Sequence, residues 1–368
     1  MKKNISALTA VSFAAALALS ACGGGGGSSN SQQTSAAAPS TNSGSLQTSV
    51  ATPTYTNGSM QAQTFAQLNS YRQSMGVGLL SQDAFLDTAA NAHALYLATN
   101  MGNGTINALT HTEVSSNAAY YGDTPPSRAQ KAGAPSTESI GEDVAAWLLN
   151  SPPTASVDAA NCLPELLDSV YHLTSVTDTF QTVGIGLGSA DGSKLMASGI
   201  MNACTLDFGQ SASGQQMPTN TIAHVPLSNE TNVFLQMFPE SPNPAADLTS
   251  PGRPIMVRVN AASQGDSLTV SSFTLTTSSG TVVPARIIVP SQALAGSTSS
   301  ATADVNGKLP AGVVFLLPLA PLSASTTYTV SFSGARDGTP VSVAWSFGAL
   351  FSLRSFSECR HKSLSWME

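Results

Sequence analysis

Charge is scarce in this chain. Of its 368 residues only 10% are Asp, Glu, Lys or Arg, against about 25% in an average soluble protein. Acidic side chains outnumber basic ones 21 to 14, and no Lys/Arg run stands out. That excludes the electrostatic footprint of a nucleic-acid partner. Cysteine is scarce too: four residues are too few for a disulfide-dense scaffold. No apolar run reaches the ~20 residues of a spanning helix, which excludes a multipass membrane protein. Hydrophobic content is ordinary at 42%, so Ser, Thr, Asn, Gln and Gly fill the place of charge. Such neutral surfaces suit secreted and envelope proteins. The length fits two domains plus extra segments. Each domain is large enough to bury a core without metal or disulfide support.

The N-terminus carries an address. Lys2 and Lys3 give a positive start and Ala7 to Leu19 an apolar stretch, the pattern of a cleaved export signal over residues 1–21. Leu19-Ser20-Ala21-Cys22 then resembles the lipobox of bacterial lipoproteins: an aliphatic residue, two small ones and Cys. The resemblance implies cleavage before Cys22, acylation of its sulfur and amine, and attachment to a membrane. Each buried methylene adds about 0.8 kcal/mol, so several chains anchor firmly. An ordinary signal peptide with an incidental Cys is the other reading. Gly23, in place of Asp, resembles the outer-membrane sorting pattern of Gram-negative cells. Residues 22–57 open with five glycines and are rich in Ser, Thr, Gln, Asn and Ala. They read as a flexible tether.

Helical periodicity begins near Gln61, where Phe65, Leu68, Tyr71 and Met75 form one stripe ended by Gly76 and Gly78. Ser81 is the expected N-cap of a second helix, on which Phe85, Ala89, His93 and Leu97 share a face. Pro126 and Ser127 open a short third helix to Lys131. Pro164, suited to a first helical turn, opens a fourth to His172. Val183, Ile185 and Leu187 then alternate, Asp191-Gly192 turns, and Leu195, Ala197 and Gly199 return as a hairpin. Helices closed by a hairpin indicate a layered α+β domain over residues 58–208.

Seven short stretches in this domain share an order with a known family. They are Leu68-Asn69-Ser70-Tyr71-Arg72, Ala89-Ala90-Asn91-Ala92-His93-Ala94, Leu109-Thr110-His111, and Arg128 with Lys131-Ala132-Gly133. They continue with Ile140-Gly141-Glu142-Asp143-Val144-Ala145, Ser169-Val170-Tyr171-His172, and Phe180-Gln181-Thr182-Val183-Gly184-Ile185-Gly186. Each is weak alone. In sequence they resemble bacterial CAP domains, relatives of cysteine-rich secretory proteins, insect antigen 5 and plant pathogenesis-related proteins. The resemblance implies a CAP-type α-β-α sandwich with a central cleft.

It also implies the cleft residues His111, Glu142 and His172. Two neutral imidazoles, His111 and His172, can ligate Zn²⁺ at about 2.0–2.1 Å and leave positions open for water. Glu142 could orient that water or take its proton. The separations, 31 and 30 residues, are not a local chelating motif, so only the fold brings these groups together. Two departures stand out. The usual Asn after the glutamate is Asp143, which adds a charge to the cleft wall. The usual Arg after the last histidine is Leu173. A fourth cleft carboxylate has no clear match; Glu165 and Asp168 are the candidates.

Other polar residues have blander readings. His93 sits on an apolar stripe and reads as a hydrogen-bonded core histidine. Glu113 reads as a solvated loop carboxylate, with an extra cleft ligand as its other reading. Trp147 reads as core or groove wall. Cys162 and Cys204 flank the last helix and hairpin, and an oxidising envelope location favours a disulfide between them; buried free thiols are the alternative.

After Gln210 the composition shifts. Strand-like runs cover Asn232–Phe238, Pro254–Asn260, Ser267–Thr277, Thr281–Val289, Gly312–Leu319, Thr327–Gly334 and Pro340–Phe347. They indicate an all-β immunoglobulin-like sandwich over residues 225–348. Leu319-Ala320-Pro321-Leu322 followed by Tyr328 resembles bacterial Ig-like modules, in which such a Tyr bonds at a strand corner. His224 stands alone at the domain edge. Residues 349–368 turn richer in charge, include Cys359, and read as an atypical tail outside the fold.

Three functions are consistent with this reading. The first is a lipid-anchored module that binds a small apolar ligand or envelope component in the cleft. The second is a metal-assisted hydrolase using His111, Glu142 and His172. The third is a surface adhesin or structural lipoprotein. No G-x-S-x-G elbow supports a serine hydrolase.

Overall fold

Ser59 caps α1 (Met60–Met75) by accepting the amide of Ala62, and Gly76 ends it at φ 70°, the left-handed value that favours glycine at a helix end. The computed structural model describes residues 45–211 and 213–350. The expected export signal, Cys22, most of the expected tether and the residues beyond Leu350 lie outside the described residues.

After α1 come β1 (Ser81–Gln82), α2 (Ala84–Gly102), α3 (Pro125–Ala132), β2 (Ser139–Leu149), α4 (Ala155–Leu167), α5 (Val170–Val176), β3 (Thr182–Asp191) and β4 (Ile200–Gln210). Asp83, not Ser81, caps α2, accepting the amides of Phe85 and Leu86. Ser81 is used instead in β1, which pairs in parallel with β3. The third helix has a capping box between Thr124 and Ser127. Pro164 opens no helix. It lies inside α4, which Thr154 caps, and the chain starts α5 afresh after Ser169. The return strand of the hairpin begins at Ile200, so Leu195 and Ala197 belong to the connection.

The four strands are ordered β1-β3-β4-β2. Strand alternation divides their side chains between two faces. Val183, Ile185, Cys204, Leu206, Phe208, Ala145 and Trp147 face α1 and α4 and form one core with Leu68, Leu163 and Leu166. Trp147 is therefore core. The opposite face carries α2. A Cβ at Gly184 or Gly186 would collide with the backbone of Leu86 or Ala90, so these glycines set the close approach of α2 to the sheet. The result is a three-layer α-β-α module. Cys162 of α4 and Cys204 of β4 are joined as a disulfide with Cα atoms 5.7 Å apart, an ordinary span for such a bond.

The rest of the chain forms β5 (Ile222–Val225), β6 (Ile255–Val259), β7 (Leu268–Thr277), β8 (Ala285–Val289), a 3-10 turn at Ser291–Gly296, β9 (Ala301–Ala303), β10 (Val313–Pro318), β11 (Thr327–Arg336) and β12 (Thr339–Gly348). Two sheets result, β5-β6-β10-β8-β9 and β12-β11-β7. Val257, Leu275, Val314, Leu316, Phe332, Trp345 and Phe347 meet between them. Residues 232–238 form no strand. Val233 and Gln236 make isolated bridges to Ala349 and Gly252, while Val233 and Leu235 are buried on irregular backbone. The shorter β5 and β9 complete the first sheet instead. Tyr328 accepts the amide of Ser323 at 2.7 Å, bonding back across the strand corner.

The five-stranded sheet is buried on both faces. Val314 and Leu316 point into the sandwich, whereas Phe315 and Leu317, with Val225 and Met256, pack against Met75, Val77, Val170 and Leu173 of the first module. Arg253 pairs with Asp168 at 2.7 Å, and Arg258 with Asp178 at 2.9 Å, across the same junction. Leu173 thus serves this interface, which accounts for an apolar residue where the resemblance expects Arg.

Both chain ends of the described region depart from expectation. The last part of the expected tether is docked: Gln47 donates to the carbonyls of Leu79 and Gln181, and Tyr55 donates to Asp87 at 2.6 Å. Ala349 and Leu350 are buried, and their amides donate to Thr326 and Val233, so the sandwich runs past residue 348.

Candidate functional site

His111 and Glu142 meet at the β2 edge of the first sheet. His111 Nδ1 lies 2.9 Å from Glu142 Oε1. The carboxylate accepts, so in its neutral form His111 presents Nε2 as an acceptor. The imidazole is 44% exposed, whereas Glu142 is 1% exposed. Glu142 is buried because its partners surround it. Arg128 on α3, itself fully buried, donates to Oε2 at 2.6 Å. The same guanidinium donates to the carbonyls of His111 and Gly122, both at 3.1 Å. Arg128 therefore ties the loop carrying His111 to the strand carrying Glu142.

Behind them stands His93 on α2. It is a buried, bonded histidine, as its place on the apolar stripe indicates. Nδ1 lies 2.9 Å from Glu113 Oε1, and Nε2 lies 2.9 Å from the carbonyl of Thr110. Both ring nitrogens face acceptors, and Glu142 Oε1 is 3.6 Å from Nε2. Glu113 is not a solvated loop carboxylate. It is 4% exposed and accepts the amides of Tyr121 and Gly122. It thereby holds the loop after His111 folded back on α2.

A further acid joins this group. Asp207 of β4 is the direct cross-strand partner of Glu142 and is fully buried. Burial pushes its carboxyl well above the usual range, and the adjacent Glu142 adds to the shift. Burial also disfavours charge on Glu142. The bond from His111 and the charges of His93 and Arg128 outweigh it and hold Glu142 below its ordinary value. The two carboxyls therefore share one charge, located on Glu142. The neighbouring Asp143 points to the other face and is 2% exposed. Burial raises it well above the usual range, against a bond with Ser175. Its charged form is disfavoured there, against the expectation of an added charge.

His172 lies on α5 and is 17% exposed. Burial, followed by the nearby charge of His111, depresses it to about 4, so it is a neutral imidazole at physiological pH. Its Nδ1 is 2.8 Å from Ser169 Oγ and 3.7 Å from Glu240 Oε2. The carboxylate beside His172 is thus Glu240, in the connector before β6. Neither α4 candidate takes that place: Asp168 pairs with Arg253, and Glu165 is buried on α4. Nothing in the local sequence of Glu240 marks it. Asp207 did carry a signal, as a lone acid at an inward position of an alternating strand.

Among the described residues, no three His, Cys, Asp or Glu side chains converge at a spacing that holds a metal ion. Two imidazoles remain, and Glu142 is engaged by Arg128 and His111. This donor set does not fit the Zn²⁺ site that the resemblance implies. His224 is structural: it stacks on Trp345 with ring centroids 4.1 Å apart and bonds the carbonyl of Pro226.

An α-β-α module with two histidines and a buried glutamate at one sheet edge defines the class of this first half. Residues 65–207 match the profile of CAP, the Cysteine-rich secretory protein family. The match ends before β5 and covers less than half of the chain. No curated protein matches the sequence.

Proposed function

We propose that this is a lipid-anchored cell-envelope protein whose CAP cleft binds a small amphipathic ligand, an apolar body bearing a hydroxyl or similar donor. The observation that carries the reading is the mixed character of the His111 loop. It offers imidazole Nε2 while exposing Leu109, Val114 and Tyr120. Exposed apolar residues grouped on one functional loop favour ligand or partner contact. The residues Leu19 to Cys22 support attachment at Cys22 to the outer membrane, and the C-terminal sandwich, read as Ig-like, serves as a spacer against or contact to envelope partners.

Binding is favoured over metal-assisted hydrolysis by the state of Glu142. A carboxylate held below its ordinary value by three cationic or donor partners is a poor proton acceptor near neutral pH. An adhesin role would place the active surface on the sandwich instead of the cleft.

The test equilibrates the full chain with a bacterial envelope lipid extract and identifies retained molecules by mass spectrometry. The expected result is near-stoichiometric retention of one lipid class by wild type and a loss of about tenfold or more in His111→Ala, the worth of one good hydrogen bond. Equal retention by both proteins, or none by either, would reject the cleft as the binding site.

A further inference from the structure

Helix α5 starts without a cap of its own: Ser169, at the N-cap position, makes no side-chain bond to the helix amides. Glu240 does this from outside. Oε1 accepts the amide of Val170 at 2.7 Å, and Oε2 accepts those of Tyr171 at 2.9 Å and His172 at 3.3 Å. The carboxylate is 1% exposed. Ser169 is thereby freed for another task. Its Oγ bonds His172 Nδ1 at 2.8 Å and meets two acceptors, the carbonyl of Leu166 at 3.4 Å and the Glu240 carboxylate.

A hydroxyl has one proton to give, and a carboxylate only accepts. The carbonyl of Leu166 only accepts as well, so with the Ser169 proton given to either oxygen Oγ is left to accept from His172 Nδ1–H; the charged carboxylate is the stronger acceptor of the two. We propose that Glu240, a residue beyond the CAP domain, acts through Ser169 as a positioning residue that fixes the tautomer of His172. The lone pair of the cleft histidine is then on Nε2. The relay runs Nδ1–H to Oγ, then Oγ–H to carboxylate, with no net proton transfer. His111 reaches the same state by direct contact with Glu142. One histidine is oriented from within the first module, and the other from the β5–β6 connection of the second. This assignment stands whatever ligand the cleft takes.

Partners set which imidazole nitrogen carries the proton, and nitrogen NMR reads that choice directly. The chain has five histidines, so ¹⁵N-histidine spectra of the full chain at mildly alkaline pH are tractable, with His172→Gln identifying the resonance. Wild type is expected to show the Nδ1–H form of His172 in excess by about tenfold, the size of one charge-assisted hydrogen bond. Ser169→Ala and Glu240→Gln are each expected to erase that excess while the His111 signals stay in place. A purely structural role for Glu240 would shift many amides and leave the His172 tautomer unchanged. An Nε2–H majority in wild type overturns the proposal. So does a wild-type tautomer ratio in folded Glu240→Gln, which would leave the Leu166 carbonyl as sufficient acceptor for Ser169. Should Glu240→Gln fail to fold, Ser169→Ala decides alone.

Discussion

The surroundings of the two histidines, here called their walls, are built differently. The His111 wall is internal to the first module: α2, α3, β2, β4 and one loop supply His93, Arg128, Glu142, Asp207 and Glu113. Its buried Glu142 is held by Arg128 and by the imidazole of His111. The His172 wall is assembled at a module boundary. Its helix is capped by Glu240, and Val170 and Leu173 pack into the second sheet through Met256 and Phe315. Its histidine is neutral and its nearest acid is raised. One wall rests on ion pairing and the other on apolar docking, and the two should fail under different insults.

Arg128→Met should produce the largest effect. The guanidinium is fully buried, bonds Glu142 at 2.6 Å and lies near Glu113. Removing one partner leaves buried negative charge uncompensated, which costs about 3–5 kcal/mol. The midpoint of urea unfolding should fall accordingly. A loss below about 1 kcal/mol would show that the His111 wall does not depend on its charge balance.

The walls should also respond to pH with opposite signs. Glu142 is held below its ordinary value, so its contribution to stability is present above the usual carboxylate range and is lost as pH falls through the depressed value. Glu240 is raised by burial from 4.5 to about 7. Its contribution is fully present below 4.5 and is lost as pH rises through about 7. His172, lowered from 6.5 to about 4, opposes Glu240 over the shared window, because its contribution is lost as pH falls through 4. Above 6.5 the Glu240 limb is left uncovered. Glu240→Gln should therefore flatten the decline in urea midpoint between pH 6.5 and 8, a change of about 1 kcal/mol. An unaltered decline would assign it to Asp143 and Asp207, which burial also raises.

The same division explains what could be read in advance. Elements with local signals were legible. The stripe Phe65, Leu68, Tyr71 and Met75 gave α1, and the unbroken apolar run Val313 to Leu317 marked a strand that proves to be covered on both faces. His111 and Glu142 were legible through motif order, because their wall is made within one domain. Glu113 was misread because the fold-back of Tyr121 and Gly122 onto it is a tertiary event. Pro164 was misplaced because its preference for a first turn yielded to the packing of α4 on the sheet. Glu240 was invisible, since its partners lie about 70 residues away in another module. The bond that tells its role depends on how two domains dock.

The smallest expected effect on stability tests the comparison most finely. His111 is the exposed member of its wall, 44% open to solvent. Its removal deletes one bond to Glu142 but leaves the Arg128 pair intact. Because water can replace the lost donor, His111→Ala should cost less than about 1.5 kcal/mol. The same change should cut ligand retention by about tenfold, since it removes the acceptor offered to the cleft. Stability and binding would then be separable at this position, as expected where a compensated network presents one free edge to solvent. If unfolding measurements show His111→Ala to be as damaging as Arg128→Met, the imidazole is part of the buried support, and the binding edge of the cleft must lie elsewhere on the loop.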